Sequence, residues 1–396
     1  MKVLLLTSRG RAMVILLVSL LVSLSSSAQE ISINVSRQVL TNTKYITALI
    51  PGSRAYNAFD ASVLWNTGGN DAAMYGFPRL GMGVSYSALG ALDCTDGGKI
   101  GDTYSFYFIL MRDLLHLGPV TAGYNVQAGA ALMQNHYDRF NNPLNDLYGG
   151  PLTFHFKSGL YLQATLAERW RIGAEVAFKH NSAARLFIPN RGLNAMAYSI
   201  STAYMLGGRK LTPEAKNNAA KALDSPLRAA VFAAGGIHRC MAEFEADGKL
   251  PASERPESYT PWFKGSIGIE GVWRYCRKTS TGLQLELHYL SNTGALRRSD
   301  KVLYPKEERS YSPWAPGIAV IQDFYLGQFS AGVGLGAYLF RQVGVHEDHG
   351  RLYQKVNFRY YPSFLPSFFA GISLRVHEFS RADYFEFSVG KAFGRN

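Results

Sequence analysis

From Phe329 to Phe340 the residues Ala331, Val333, Leu335, Ala337 and Leu339 alternate with Gly332, Gly334 and Gly336. The last segment does the same, with Phe385, Phe387, Val389 and Phe393 on one face and Tyr384, Glu386, Ser388 and Gly390 on the other. Period two puts successive side chains on opposite sides of a strand, whereas helical faces recur every three to four residues. Further segments of this kind begin near Phe77, Asp102, Gly118, Pro151, Trp170, Gly192, Pro226, Tyr259, Gly282, Pro313, Arg351 and Pro366. Together they predict an all-β chain of about 14 strands, within a range of 12 to 16. A mean hydropathy of -0.06 argues against a helical membrane protein. Beyond the first thirty residues, moreover, no apolar run reaches the roughly 18 residues a spanning helix needs.

The connections alternate as well. Brief links at Glu168 and Arg169, Arg277 to Ser280, Gly327 and Gln328, and Ser363 to Leu365 contrast with long polar loops at Asn135 to Gly150, Ala183 to Arg191, Glu245 to Ser258 and Asn292 to Ser312. Short turns on one side and long loops on the other are the habit of an outer-membrane barrel. An open sheet edge cannot persist in lipid, so the strands must close. The expected architecture is an antiparallel transmembrane β-barrel in a Gram-negative outer membrane. Phe156 to Ala183 and Phe263 to Ala295 form a faint internal repeat, each running from a Phe-Lys pair into a His followed closely by Ser.

The amino terminus reads as a secretory signal. Lys2, Arg9 and Arg11 lead an apolar Met13 to Leu24 stretch, and Ser26 and Ala28 are small residues placed for cleavage after Ala28. The domain plan is a signal peptide over 1–28, a lead segment over 29–59 and a barrel over 60–396. The 207–225 segment, rich in Ala and Lys, is read as a periplasmic excursion. Removing the signal takes away three basic and no acidic residues from a chain of formal charge +12, so the mature protein stays basic and favours anionic surfaces. Cys94, Cys240 and Cys276 are odd in number, show no zinc or redox spacing, and receive no role.

The strand from Trp170 to Ser182 puts Ile172, Ala174, Val176 and Phe178 on one face and Arg171, Glu175 and Lys179 on the other. The apolar set must face lipid, and the same parity turns His180 and Ser182 outward. In the next strand Asn194 shares its face with Met196, Tyr198 and Ile200. Three polar groups thus meet on the exterior near the outer strand ends, where a charge on the lipid face costs only about 0 to 1 kcal/mol. Residues two apart on a strand have α-carbons roughly 6.6 Å apart, within an imidazole's reach of a hydroxyl. Ser182 could then attack an ester while His180 takes its proton.

The stretch His180 to Asn194, HNSAARLFIPNRGLN, resembles the lipid A deacylase and acyloxyacyl hydrolase barrels of Gram-negative outer membranes. His180, Ser182, Pro189, Asn190, Gly192 and Asn194 match that family's spacing. FPRLGMGVSYSALG from Phe77 and the Asn-Pro-Leu-Asn run at Asn142 extend the likeness over about 60–206. The resemblance implies a serine esterase that removes a fatty acyl chain from lipopolysaccharide, with Ser182 as nucleophile, His180 as general base and Asn194 orienting the imidazole. It implies lipid A and outer-membrane lipids as partners, with no cofactor and no metal. Two departures stand out: Asn194 sits where some members carry Glu, and Ala183 where the family has an oxyanion-stabilising Asn. Asn181 is no substitute, since its parity sends it into the lumen. Losing one such donor typically costs about 100- to 1000-fold in turnover, so a slow or lapsed enzyme is expected.

Other constellations are weaker. His288, Ser291 and Asn292 look like a second site, but His288 falls with Gln284 and Glu286, opposite Leu283, Leu285 and Leu287, and so faces the lumen. His346, Glu347, Asp348 and His349 are adjacent in a loop, and adjacent ligands converge poorly on a metal. Arg297, Arg298, Lys301, Lys306 and Arg309, with Arg185 and Arg191, could meet lipid A phosphates, although Glu307 and Glu308 interrupt the run. No Walker A loop, dinucleotide fingerprint or HExxH is present, and nucleic acid is not an expected partner. The alternative to the esterase is a non-enzymatic outer-membrane barrel: a pore, a binder or a structural component.

Overall fold

The computed structural model describes residues 29–41, 46, 48–206, 227–379 and 381–393. The signal peptide and the 207–225 excursion lie outside them. The described strands form two closed antiparallel barrels of eight. The first comprises β1 (Glu30–Leu40), β2 (Ala55–Asn66), β3 (Arg79–Ser87), β4 (Thr103–Leu117), β5 (Val120–Met133), β6 (Leu152–Leu166), β7 (Trp170–Ser182) and β8 (Leu193–Met205). It closes by pairing β8 with β1, from Glu30 opposite Met205 to Leu40 opposite Ala195. The second comprises β9 (Leu227–Arg239), β10 (Pro261–Trp273), β11 (Thr279–Leu290), β12 (Trp314–Leu326), β13 (Phe329–Tyr338), β14 (Leu352–Tyr360), β15 (Phe368–His377) and β16 (Arg381–Phe393). It closes by pairing β16 with β9.

The all-β barrel reading therefore holds and the strand total falls inside the expected range, but the strands divide between two barrels where 60–396 had been read as one. The 29–59 lead segment also contains β1 and the start of β2. The physical reason is that alternation fixes which face a side chain takes and is silent on where a sheet closes. β1 itself alternates, with Ile33, Val35 and Val39 exposed and Ser36 and Gln38 buried, but Arg37 on the outer face blurs the pattern.

Both barrels are apolar outside and polar inside. On β7, Ile172, Val176 and Phe178 are exposed while Arg171 and Lys179 are buried. On β11, Leu283, Leu285 and Leu287 are exposed while Gln284, Glu286 and His288 are buried. A water-soluble fold would reverse this; an outer-membrane barrel requires it. The lumens are filled by ion pairs. In the first, Glu30 holds Arg79 at 2.9 Å and Arg171 at 2.5 Å, and Lys157 holds Glu175 at 3.0 Å. In the second, Lys355 holds Glu286 at 2.6 Å, Arg359 holds Glu270 at 2.9 Å and Lys264 holds Asp383 at 2.6 Å. Eight strands leave an interior just wide enough for such side chains.

The long connections are built rather than loose. In the first barrel they pack a cluster that includes Leu49, Ile50, Leu147, Tyr148 and Leu193. In the second, α1 (Met241–Asp247) and α2 (Thr293–Leu303) lie in successive long loops. Buried Asp300 on α2 accepts from Tyr311 Oη at 2.9 Å and from the Val345 amide at 2.8 Å, tying that helix to the 339–351 loop.

In that loop His346 Nε2 lies 3.1 Å from Glu245 on α1, and Nδ1 lies 3.9 Å from Glu347. Burial works against the protonated ring, but the two carboxylates outweigh it and hold His346 up at about 9. The folded chain thus keeps a proton that an unfolded histidine releases near 6.5. The stabilisation is complete below that pH, falls steadily as pH rises, and is gone above about pH 9, amounting to up to about 3 kcal/mol. Limited proteolysis of the 339–351 loop should therefore accelerate between about pH 7 and about pH 9.5, and His346→Gln should cleave fast throughout. A wild-type rate that does not change with pH would refute the tie.

Candidate active site

The ends of β7 and β8 carry the three predicted residues. In the β7–β8 register His180 stands opposite Asn194 and Asn181 opposite Leu193, while across β6 Phe156 faces His180 and Phe154 faces Ser182. His180 shares its face with exposed Ile172, Val176 and Phe178, and Asn194 shares its face with exposed Tyr198 and Ile200. Both therefore lie on the apolar exterior, while Lys179 and Asn181 are buried on the opposite face.

His180 Nδ1 and Asn194 Oδ1 are 2.5 Å apart. An amide oxygen can only accept, so Nδ1 carries the hydrogen and donates it, which leaves the Nε2 lone pair as the ring's basic position. Ser182 is 7% exposed at the strand end, with half-buried His180 beside it. Gly192 sits against both. A β-carbon there would lie 3.3 Å from His180 Cε1, 3.3 Å from Ser182 Cβ and 3.0 Å from the Asn181 carbonyl oxygen. The imidazole and the serine thus border one and the same point, and Gly192 adopts φ +67°, where a side chain would be strained.

The loop before β8 is fixed from behind. The Arg191 and Gly192 amides donate to the Asp146 and Leu147 carbonyls, each at 3.2 Å. Arg191 Nε lies 3.0 Å from Asp146 Oδ2. Leu147, Tyr148 and Leu193 belong to the buried cluster beneath. Sequence reasoning missed Asp146, Phe154 and Phe156, because only strand register brings residues so distant along the chain to the site. Chemically, a hydroxyl, an imidazole oriented by an amide, and flanking aromatic side chains on a lipid-facing surface are the parts of a nucleophilic attack on an acyl ester.

The other candidate residues do different work. Arg185 was expected near lipid phosphates, yet residues 184–190 group with the second unit, where Arg185 contacts Glu347 at 2.5 Å. Arg191 is held by Asp146 as above. His288 faces the lumen, with its ring nitrogens 2.8 and 3.0 Å from Arg375. Ser291 Oγ accepts from the Phe263 amide at 2.9 Å, and Asn292 is fully buried. Arg297, Arg298 and Lys301 are exposed on α2, and Arg309 lies 3.5 Å from Glu307. Among the described residues no group of three or more His, Cys, Asp or Glu is placed to hold a metal. All three cysteines are free.

Residues 228–395 match a family model described as the acyloxyacyl hydrolase, C-terminal domain. No curated protein matches the chain. Among solved structures, the outer membrane enzyme PagL is similar at 15% identity, over 43% of this chain and 97% of that one, with a TM-score of 0.28. Neisserial surface protein A is similar at 10% identity, over 44% and 96%, with a TM-score of 0.29. The N-terminal β-barrel domain of Pseudomonas aeruginosa OprF is similar at 8% identity, over 45% and 98%, with a TM-score of 0.25. The family match covers the second barrel, whereas the motif that carried the resemblance lies in the first. The likeness to the acyloxyacyl hydrolase family thus rests on residues 228–395 alone.

Proposed function

We propose that the chain is an outer-membrane serine esterase that removes a fatty acyl chain from lipid A or a related acylated glycolipid, through Ser182, His180 and Asn194 of the first barrel. The observation that carries this reading is the outward-facing His180–Asn194 contact, with the largely buried Ser182 beside it at the strand end. Ser182 Oγ attacks the ester carbonyl carbon as His180 Nε2 takes the hydroxyl proton, and Asn194 keeps Nδ1–H in place. Collapse of the tetrahedral intermediate returns that proton to the departing sugar or acyl-chain alcohol and leaves an acyl-serine. Water, activated by the same imidazole, then releases the fatty acid and restores the serine. Exposed Phe156 and Phe178 flank the imidazole and offer an acyl chain an apolar track. Turnover is slow in this reading: Asn194 supplies no negative charge to the imidazolium, and the wholly buried Ala183 has no side-chain donor for the oxyanion.

Mass spectrometry of lipid A from a competent host tests it. Cells expressing the chain should show a species lighter by one acyl group than cells carrying the empty vector. Gly192→Ala should cost about 1 kcal/mol of stability through its backbone conformation. It should also cut deacylation by at least about tenfold, because the added carbon pushes between base and nucleophile. Wild-type deacylation by a folded Gly192→Ala protein would argue against the pairing of Ser182 with His180.

A second reading keeps the barrels and drops the catalysis, and the specific observation behind it is that the family match excludes 180–194. Of its variants the pore is disfavoured, since Glu286, Arg359, Arg375 and Glu386 fill the second lumen and Arg79, Lys157 and Lys179 the first.

A further inference from the structure

At the short-turn end of the second barrel lies a cavity of about 220 Å³, lined by Arg228, Arg274, Tyr325, Arg359, Tyr361 and Phe369 among others. Among the described residues three arginines and no acidic residue line it. Arg359 is already spent on Glu270, at 2.9 and 3.3 Å. The other two are not. Arg274 lies over the Tyr325 ring, 3.9 Å from its centroid, and gives one hydrogen to the Arg277 carbonyl at 2.7 Å. Its Nε is buried with no hydrogen-bond partner among the described residues, and so is the Nε of Arg228. Burial, together with repulsion from Arg228 and Arg277, pulls Arg274 below the usual arginine range.

A guanidinium cannot shed its charge at any physiological pH, so neighbouring arginines with buried, unanswered N–H groups must be neutralised from outside. We propose that this cavity binds a phosphate group, which accepts from the guanidinium groups of Arg228 and Arg274. Phosphate suits the donors better than a single halide does, because several oxygens can engage two planar forks at once. The short-turn end of an outer-membrane barrel is its periplasmic end, so the group is supplied either by a glycerophospholipid of the inner leaflet or by free phosphate. The site is remote in role from Ser182 and stands whether or not the chain is an esterase.

The full-length protein in non-ionic detergent is titrated calorimetrically with inorganic phosphate, and a parallel sample prepared with phosphatidylglycerol is weighed by native mass spectrometry. One phosphate or one phospholipid per chain is expected; uptake of phosphate marks the free anion as ligand, retention of lipid alone marks the headgroup. Affinity should fall at least about tenfold in Arg228→Gln/Arg274→Gln. It should also fall in Arg274→Lys, which keeps the charge but loses the planar fork. Heat-modifiable gel migration verifies that each variant is folded. Absence of saturable binding by either probe, or an unchanged affinity in folded Arg228→Gln/Arg274→Gln, would overturn the proposal.

Discussion

Ser182→Ala should leave lipid A with its full set of acyl chains, cutting deacylation by at least about 10⁴-fold and so to background for an enzyme that is already slow. His180→Ala should do the same, because nucleophile and base act as a unit and the loss of either removes most of what both supply. Ser291→Ala is the informative control. It lies in the barrel that the family model matches, but its hydroxyl accepts from a backbone amide and His288 is turned into the lumen, so its activity should equal that of the native chain. Lipid A profiles from the four strains, with outer-membrane levels of each protein matched, settle the matter. If Ser291→Ala is inactive while Ser182→Ala is active, the chemistry belongs to the second barrel and the first-barrel motif is a structural relic. If all four profiles are identical and intact, the non-enzymatic reading stands.

How much of this was legible in the sequence depends on which physical rule was asked. Parity answered well, because a strand offers only two faces and lipid tolerates few polar groups on one of them: it placed His180 and Asn194 outside, and His288 inside, from their neighbours alone. Closure was illegible. Whether β8 pairs with β1 or with β9 is decided by backbone hydrogen bonds that leave no mark on side-chain pattern, so the strands of two barrels read as one. Loop partners were illegible too. Arg185 seemed free to meet a phosphate until Glu347, far along the chain, proved to be its counter-ion. Gly192 sits at the border of both kinds of knowledge: the motif spacing singled it out, but only coordinates explain why a glycine is needed between an imidazole and a serine.

Glu286→Leu should destabilise the second barrel by about 3–5 kcal/mol, because it strips the lumen's cations of a shared partner. The Glu286 carboxylate takes Lys355 at 2.6 Å and the Tyr353 hydroxyl at 2.8 Å, with Arg375 3.8 Å away. Glu386 stands 3.4 Å from Arg375 and 3.6 Å from Lys355, so one carboxylate would be left to answer two buried cations. Leucine fills most of the space without supplying an acceptor, so the expected loss is electrostatic rather than a cavity effect. Adding Lys355→Met should restore much of it, giving a coupling of at least about 1 kcal/mol between the two positions, since an apolar pair has nothing to leave unpaired. Urea unfolding in detergent, followed by tryptophan fluorescence and gel migration, measures all three variants. A loss below about 1 kcal/mol for the single substitution would mean that water screens the lumen charges. A wet lumen is also the one condition under which ions could pass, so the same titration bears on whether a barrel this narrow conducts at all.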